Sequence, residues 1–188
     1  MALRLFARRS TAASKYESRY FHTSRCSFIK VGDRLPDLPD VLMENSPGNK
    51  VNLASELSTD RGLIIGVPAP FSPSCSASHI PGYISHPKLA SAGKTFVVSV
   101  NDAFVMKAWA DSLDSAHKSG IRFLADPSAA FTSALDVSFE NKPIFGGLRS
   151  KRYALEVKEG VVTAVHVEPD NTGINVSSAE SVLGKATS

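Results

Sequence analysis

Arg61-Gly62-Leu63-Ile64-Ile65-Gly66-Val67-Pro68 is the stretch that decides how this chain folds. The apolar run is continuous rather than alternating, shorter than an ordinary buried helix, and stopped by a proline. Those features predict a strand covered on both faces. A second run of the same kind spans Thr95 to Val100, and a Pro/Ser-rich turn and a helical stretch ending near Gly93 lie between the two. Asn101-Asp102 then supplies a cap for a helix through about His117, with Trp109 and Leu113 sharing a face and Gly120 ending it. Arg122 to Ala125 reads as a third, short strand, and Asp126-Pro127 as an N-cap followed by a proline at the first position of another helix.

Working outward, Val31-Gly32-Asp33-Arg34-Leu35-Pro36 opens the folded region, and Asn49 to Leu53 reads as a short strand leading into Ala54-Ser55-Glu56-Leu57. Toward the C-terminus, Tyr153 to Val157 and Val161 to Val167 flank Lys158-Glu159-Gly160, a hairpin signal. Glu168 to Gly173 reads as a turn, and a last helix covers roughly Ser177 to Gly184. A βαβ start followed by an antiparallel hairpin and a helix predicts an α/β protein with a central mixed sheet flanked by helices, which is the plan of the thioredoxin-like fold. At 188 residues, without repeats or an interdomain linker, the chain suits one domain plus a tail.

The formal net charge is +3. Residues 1–28 hold Arg4, Arg8, Arg9, Lys15, Arg19 and Arg25 against Glu17 alone, a local +5 that leaves −2 for the rest. The basic balance therefore belongs to the N-terminus and is no evidence for a nucleic-acid partner. On a helix, Arg4, Arg8, Lys15 and Arg19 fall within roughly 60° of one another. Ala2, Phe6, Ala13, Tyr16 and Tyr20 lie opposite, and Arg9 breaks the pattern. An Arg- and Ser-rich, acid-poor amphipathic segment is the composition of a mitochondrial transit peptide, so residues 1–28 are expected to be one, residues 29–188 the domain, and the mitochondrial matrix the destination. Arg19-Tyr20-Phe21 resembles a matrix-processing site with cleavage before Phe21; that cut alone retains Cys26, and a later trimming near Phe28 removes it. The other reading of these residues is an uncleaved basic arm that binds an acidic surface. No apolar run reaches membrane-spanning length, so no membrane partner is expected. Two cysteines make neither a disulfide scaffold nor a four-cysteine zinc site.

The chemistry points to Pro68-Ala69-Pro70-Phe71-Ser72-Pro73-Ser74-Cys75. Cys75 follows a buried strand and a proline-rich turn, which places it in the first turn of a helix, where unpaired N–H groups and the dipole favour an anion. Ser72 lies three residues earlier, so its hydroxyl can face the sulfur, and Pro73 presets the turn. The backbone N–H groups of Ser74 and Cys75 stay free to hold an oxygen. The bland alternative is a small buried cysteine with only a packing role. Polar and proline neighbours rather than aliphatic ones argue for chemistry.

Pro68-x-x-x-Ser72-x-x-Cys75 resembles the Pro-x-x-x-Thr/Ser-x-x-Cys signature of peroxiredoxins. Cys75-Ser76-x-x-His79-x-Pro81-Gly82-Tyr83 resembles the type II, or peroxiredoxin-five, subfamily. Val100-Asn101-Asp102-Ala103-Phe104-Val105 with Trp109, Leu124-Ala125-Asp126-Pro127, Ser150-Lys151-Arg152-Tyr153 and Val167-Glu168-Pro169-Asp170-x-Thr172-Gly173 continue the likeness in order. The resemblance implies a thiol-dependent peroxidase. Cys75 would be the peroxidatic nucleophile, Ser72 a partner of thiolate and peroxide, and Arg152 the support of the developing charge. Pro68 would be the shield of the oxidised sulfur, with the backbone of Ser74 and the side chain of His79 in the peroxide pocket. It implies no metal or organic cofactor, and a homodimer. Taken by itself, Arg152 is one member of a basic cluster with Arg149 and Lys151, and His79 a satisfied inner-face histidine.

No cysteine follows Cys75, and Val176 stands in the neighbourhood where the resemblance places a second thiol. The expected cycle therefore uses one cysteine and an external reductant, either glutathione with glutaredoxin or a thioredoxin, on hydrogen peroxide or alkyl hydroperoxides. The subfamily's Pro-Gly-Ala-Phe is replaced by Pro68-Ala69-Pro70-Phe71, which raises the alternative of a binding or holdase protein with weakened peroxidase activity. A disulfide oxidoreductase would place cysteine where Ser78 stands, and a cysteine hydrolase would pair Cys75 with His79 or His166.

Overall fold

A computed structural model describes residues 28–185, and the expected transit peptide falls outside the described residues except for Phe28. The strands are β1 (Leu42–Glu44), β2 (Lys50–Val51), β3 (Arg61–Gly66), β4 (Lys94–Ser99), β5 (Ile121–Ala125), β6 (Ser138–Asn141), β7 (Gly147–Ser150), β8 (Tyr153–Lys158) and β9 (Val161–Val167). The helices are α1 (Leu53–Glu56), α2 (Ile80–Ile84), α3 (Ala103–Leu113), α4 (Ala130–Ala134), α5 (Lys142–Phe145) and α6 (Ala179–Leu183). A π-helical turn, Cys75–His79, runs into α2, and a 3-10 turn, Leu89–Ala92, precedes β4.

The main sheet has the order β2-β1-β5-β4-β3-β8-β9. β3, β4 and β5 are parallel, with Ile64 opposite Phe96 and Val97 opposite Phe123. β1 joins β5 antiparallel, and the β8–β9 hairpin adds to β3 antiparallel. The mixed thioredoxin-like sheet expected from the strand pattern is what forms. Its central strands are apolar throughout because they feed two cores. Ile64, Phe96, Val98, Leu124 and Leu155 pack on one face with Leu53, Phe131 and Leu135. Leu63, Ile65, Val97, Phe123 and Ala154 pack on the other with Cys75, Tyr83 and Trp109. Gly66 is required where β3 passes β8, since a Cβ there would land inside the buried Tyr153 ring. Arg122 holds the far side of the sheet, bonded to Glu44 through Nε (2.9 Å) and Nη2 (2.7 Å) and to Glu56 through Nη1 (3.0 Å).

Three expectations need correction. The helix capped by Asp102 ends at Leu113, because Asp114 leaves helical geometry and turns its carboxylate onto the N–H groups of Lys118 and Ser119. Asp126 does serve a helix, but one that begins at Ala130: the chain turns through Ala129 at φ 56°, and the buried carboxylate reaches the N–H groups of Phe131 and Thr132. The helical stretch after Cys75 does not continue to Gly93. It stops at Ile84, and Pro87 stands between it and the 3-10 turn. A β6–α5–β7 excursion, paired on itself, is an addition that the sequence reading lacks.

Candidate active site

β3 carries the chain to Pro68, which is buried, and Ser99 Oγ donates to Val67 O (3.1 Å) to pin the end of β3 beside β4. The next four residues form a tight turn. Ser72 Oγ donates to Ala69 O at 2.9 Å, reinforcing a longer Ser72 N–H contact to the same carbonyl (3.5 Å). Pro70 occupies the second place of this turn, where its fixed φ is an asset. The left-handed conformation falls on Phe71 (φ 59°) rather than on Ala69. Replacing glycine by Ala69 therefore imposes no left-handed backbone at that residue. The expected partnership of the Ser72 hydroxyl with the sulfur is not among the described contacts: its one proton goes to Ala69 O, because the turn brings that carbonyl onto it.

Residues 73–84 are continuously helical. The first bond back is Ser76 N–H to Ser72 O (2.9 Å), so the N–H groups of Ser74 and Cys75 precede the helical ladder. The ladder then widens, with Ile80 N–H bonding Cys75 O one residue further back than in an α-helix. Pro81 has no N–H to continue a regular ladder, and it follows the widened turn directly. Cys75 and His79 both point inward and are buried. Trp109 of α3 donates Nε1–H to Ser76 Oγ (3.0 Å), tying the neighbouring helix to this one.

Arg152, immediately before β8, is only 1% exposed. Its Nη1 lies 3.4 Å from Cys75 Sγ and 3.0 Å from His79 Nδ1, and its Nε donates to Thr172 O at 3.0 Å. A buried guanidinium this close to sulfur sets a fixed positive charge and a donor beside any negative charge held there. His79 Nε2 meets Ser177 O at 2.9 Å. With Nε2 donating to a carbonyl and Nδ1 facing an arginine donor, the imidazole is neutral. Burial, aided by the Arg152 charge, lowers its pKa from 6.5 to about 4. His79 thus has both ring nitrogens engaged, with Ser177 O and Arg152, which does not suit the base of a cysteine hydrolase. His166 is on β9 beside Glu156 (3.5 Å), on another part of the sheet.

Cys75, Arg152 and His79 are therefore brought together, Pro68 is buried at the end of β3 where the turn begins, and Ser72 shapes that turn. Thr172, Ser177, Tyr83 and Glu168 also belong to the site. Tyr83 Oη donates to Ser177 O (2.7 Å), and burial, with Glu156 and Glu168, pushes the phenol well above its usual range.

Comparison with known proteins accords with this geometry. A family model described as Redoxin matches residues 30–183. The chain is 42% identical over 158 residues to peroxisomal membrane associated protein 20 of Schizosaccharomyces pombe, covering 82% of this chain and 97% of that protein. It is 34% identical over 190 residues to the chloroplastic peroxiredoxin-2E of Arabidopsis thaliana, covering 97% and 80%. Among solved structures, that of reduced Prx3 in complex with hydrogen peroxide from Vibrio vulnificus superposes with a TM-score of 0.73 at 36% identity, covering 83% of this chain and 98% of that one.

Proposed function

The chain belongs to the Redoxin family and is a peroxiredoxin, a thiol-dependent peroxidase; from that premise we propose that it is a type II, one-cysteine enzyme that reduces hydrogen peroxide and alkyl hydroperoxides with an external thiol. The observation that carries the assignment of Cys75 as nucleophile is Arg152 Nη1 at 3.4 Å from its sulfur inside a buried pocket. The thiolate attacks one peroxide oxygen in line, an S–O bond forms as the O–O bond breaks, and the departing oxygen leaves as water or an alcohol after taking a proton. Negative charge passes from sulfur to the leaving oxygen. Donors already fixed along that line, Arg152 and the N–H groups of Ser74 and Cys75, stabilise the transition state more than the ground state. Ser72 holds the loop that presents those N–H groups, and Pro68 limits access to the oxidised sulfur.

The sulfenic acid is then attacked by an external thiol, which forms a mixed disulfide and releases water. A second thiol releases Cys75. Glutathione with glutaredoxin, or a thioredoxin, fits this step, and a slow supply of reductant exposes the sulfur to further oxidation. The matrix destination rests on the basic amphipathic character of residues 1–28. A homodimer is supported by exposed Phe71 (56%) and Phe104 (66%), which follow the carboxyl ends of adjacent strands β3 and β4.

Peroxide consumption with each regenerating system tests the reading. Wild type is expected to turn over with at least one of them and Cys75→Ser with neither. A wild type that consumes no peroxide, or a Cys75→Ser variant with full activity, contradicts it. A fluorescent fusion of residues 1–28 tests the destination: delivery to any other compartment overturns that part alone.

A further inference from the structure

Glu168 is 1% exposed and opens the turn whose Thr172 carbonyl accepts from Arg152. One of its oxygens, Oε1, accepts three hydrogen bonds, from Asn175 N–H (2.6 Å), Ser177 N–H (2.9 Å) and Ser177 Oγ–H (2.7 Å). Its other oxygen, Oε2, is buried without a partner among the described residues. Burying a carboxylate with half its acceptors idle is costly, and a neutral side chain would avoid the cost. Three donors on one oxygen is, however, more than a neutral amide carbonyl accepts well.

Two of those three bonds hold Ser177, and the third holds Asn175 two residues before it. The Ser177 carbonyl receives both His79 Nε2–H (2.9 Å) and Tyr83 Oη–H (2.7 Å). The first of these sets the tautomer of His79, leaving Nδ1 to accept from Arg152 Nη1 (3.0 Å), the same nitrogen that lies on Cys75 Sγ. The turn meets Arg152 elsewhere as well: Arg152 N–H donates to Asn171 O (2.7 Å), Arg152 Nε–H to Thr172 O (3.0 Å), and Glu168 N–H to Arg152 O (3.0 Å). Arg152 is the charged group on the sulfur, and the titratable groups around it are His79, which it meets directly, Glu168 and Asp170 of the turn, and Tyr83 on the shared Ser177 carbonyl.

We infer that Glu168 is a positioning residue for the peroxidase reaction, acting through the Ser177 peptide and His79 to hold Arg152 Nη1 on the Cys75 sulfur. This rests on Cys75 being the peroxidatic thiol. Glu168 never touches peroxide. Loosening Ser177 frees the imidazole to rotate or change tautomer, and Arg152 then loses the acceptor that aims it.

Two variants test this, Glu168→Gln and Ser177→Ala. The second removes only the Oγ bond and leaves the carbonyl in place. The measurements are the rate constant of reduced Cys75 with hydrogen peroxide, the pH profile of its alkylation by iodoacetamide, and the urea midpoint. Glu168→Gln is expected to slow the peroxide step about tenfold and Ser177→Ala about two- to threefold, on the scale of weakened charge-assisted bonds. Both move the alkylation profile to higher pH. If Glu168→Gln does not fold, Ser177→Ala decides. Wild-type rates and profiles overturn the inference, and so does a slower rate with an unmoved profile, which reports only less folded protein. A wild type inert to peroxide instead overturns the assignment of Cys75.

Discussion

Arg152 has contacts on three sides: sulfur, imidazole and the carbonyl of Thr172. A lysine carries the same charge but cannot span them from one point. Arg152→Lys is therefore expected to fold and to lower the peroxide rate constant at least about tenfold, the cost of one misplaced transition-state donor, measured by stopped-flow mixing. His79 gives a second prediction. The unfolded chain takes up its proton near 6.5 and the folded chain only near 4. Between those values the unfolded state holds more protons, so the contribution of His79 to stability is complete above about pH 6.5 and is lost as pH falls toward about 4. Its upper bound is about 3 kcal/mol. Urea midpoints across that window should fall less steeply for His79→Gln than for wild type; parallel slopes would remove His79 as the cause. At this scale Cys75, Arg152 and His79 were legible, because each sits in a recognisable local motif. The Ser177 carbonyl was not: it is a backbone group 98 residues from His79, and a side-chain pattern does not announce it.

Among the elements, α3 shows how local chemistry sets a boundary. Asp102 Oδ1 accepts from Phe104 N–H and Val105 N–H, both at 2.9 Å. Asp102→Ala should cost about 1 kcal/mol of stability, read as a lower urea midpoint, while the peroxide rate constant stays within about twofold. A rate that fell in step would tie the cap to the site. Strands β3, β4 and β5 and this cap were readable from apolar runs and a capping residue. The β6–α5–β7 excursion was not, since residues 136–150 keep neither a two-residue nor a helical period and pair only with one another. The widened turn at Cys75–His79 had one sequence signal, Pro81, which does not by itself specify where the ladder gives way.

At the scale of the molecule, the active-site turn, Phe71 and Phe104 lie at one end of the sheet. Arg149 Nη1, bonded to Val100 O at 2.7 Å, brings the β6–α5–β7 excursion with exposed Ile144 and Leu148 to the same end. Sedimentation should show a dimer for wild type and a monomer for Phe104→Asp; a wild-type monomer at working concentration ends the dimer proposal. Turnover of the whole molecule rests on the one-thiol cycle. It is tested most directly by intact-mass analysis of the chain beginning at Phe28, reduced and then mixed with one equivalent of hydrogen peroxide. One added oxygen is expected at Cys75, converted to a mixed disulfide when glutathione is supplied, with no change in Cys75→Ser. An unmodified wild type, or the same added oxygen in Cys75→Ser, would contradict it.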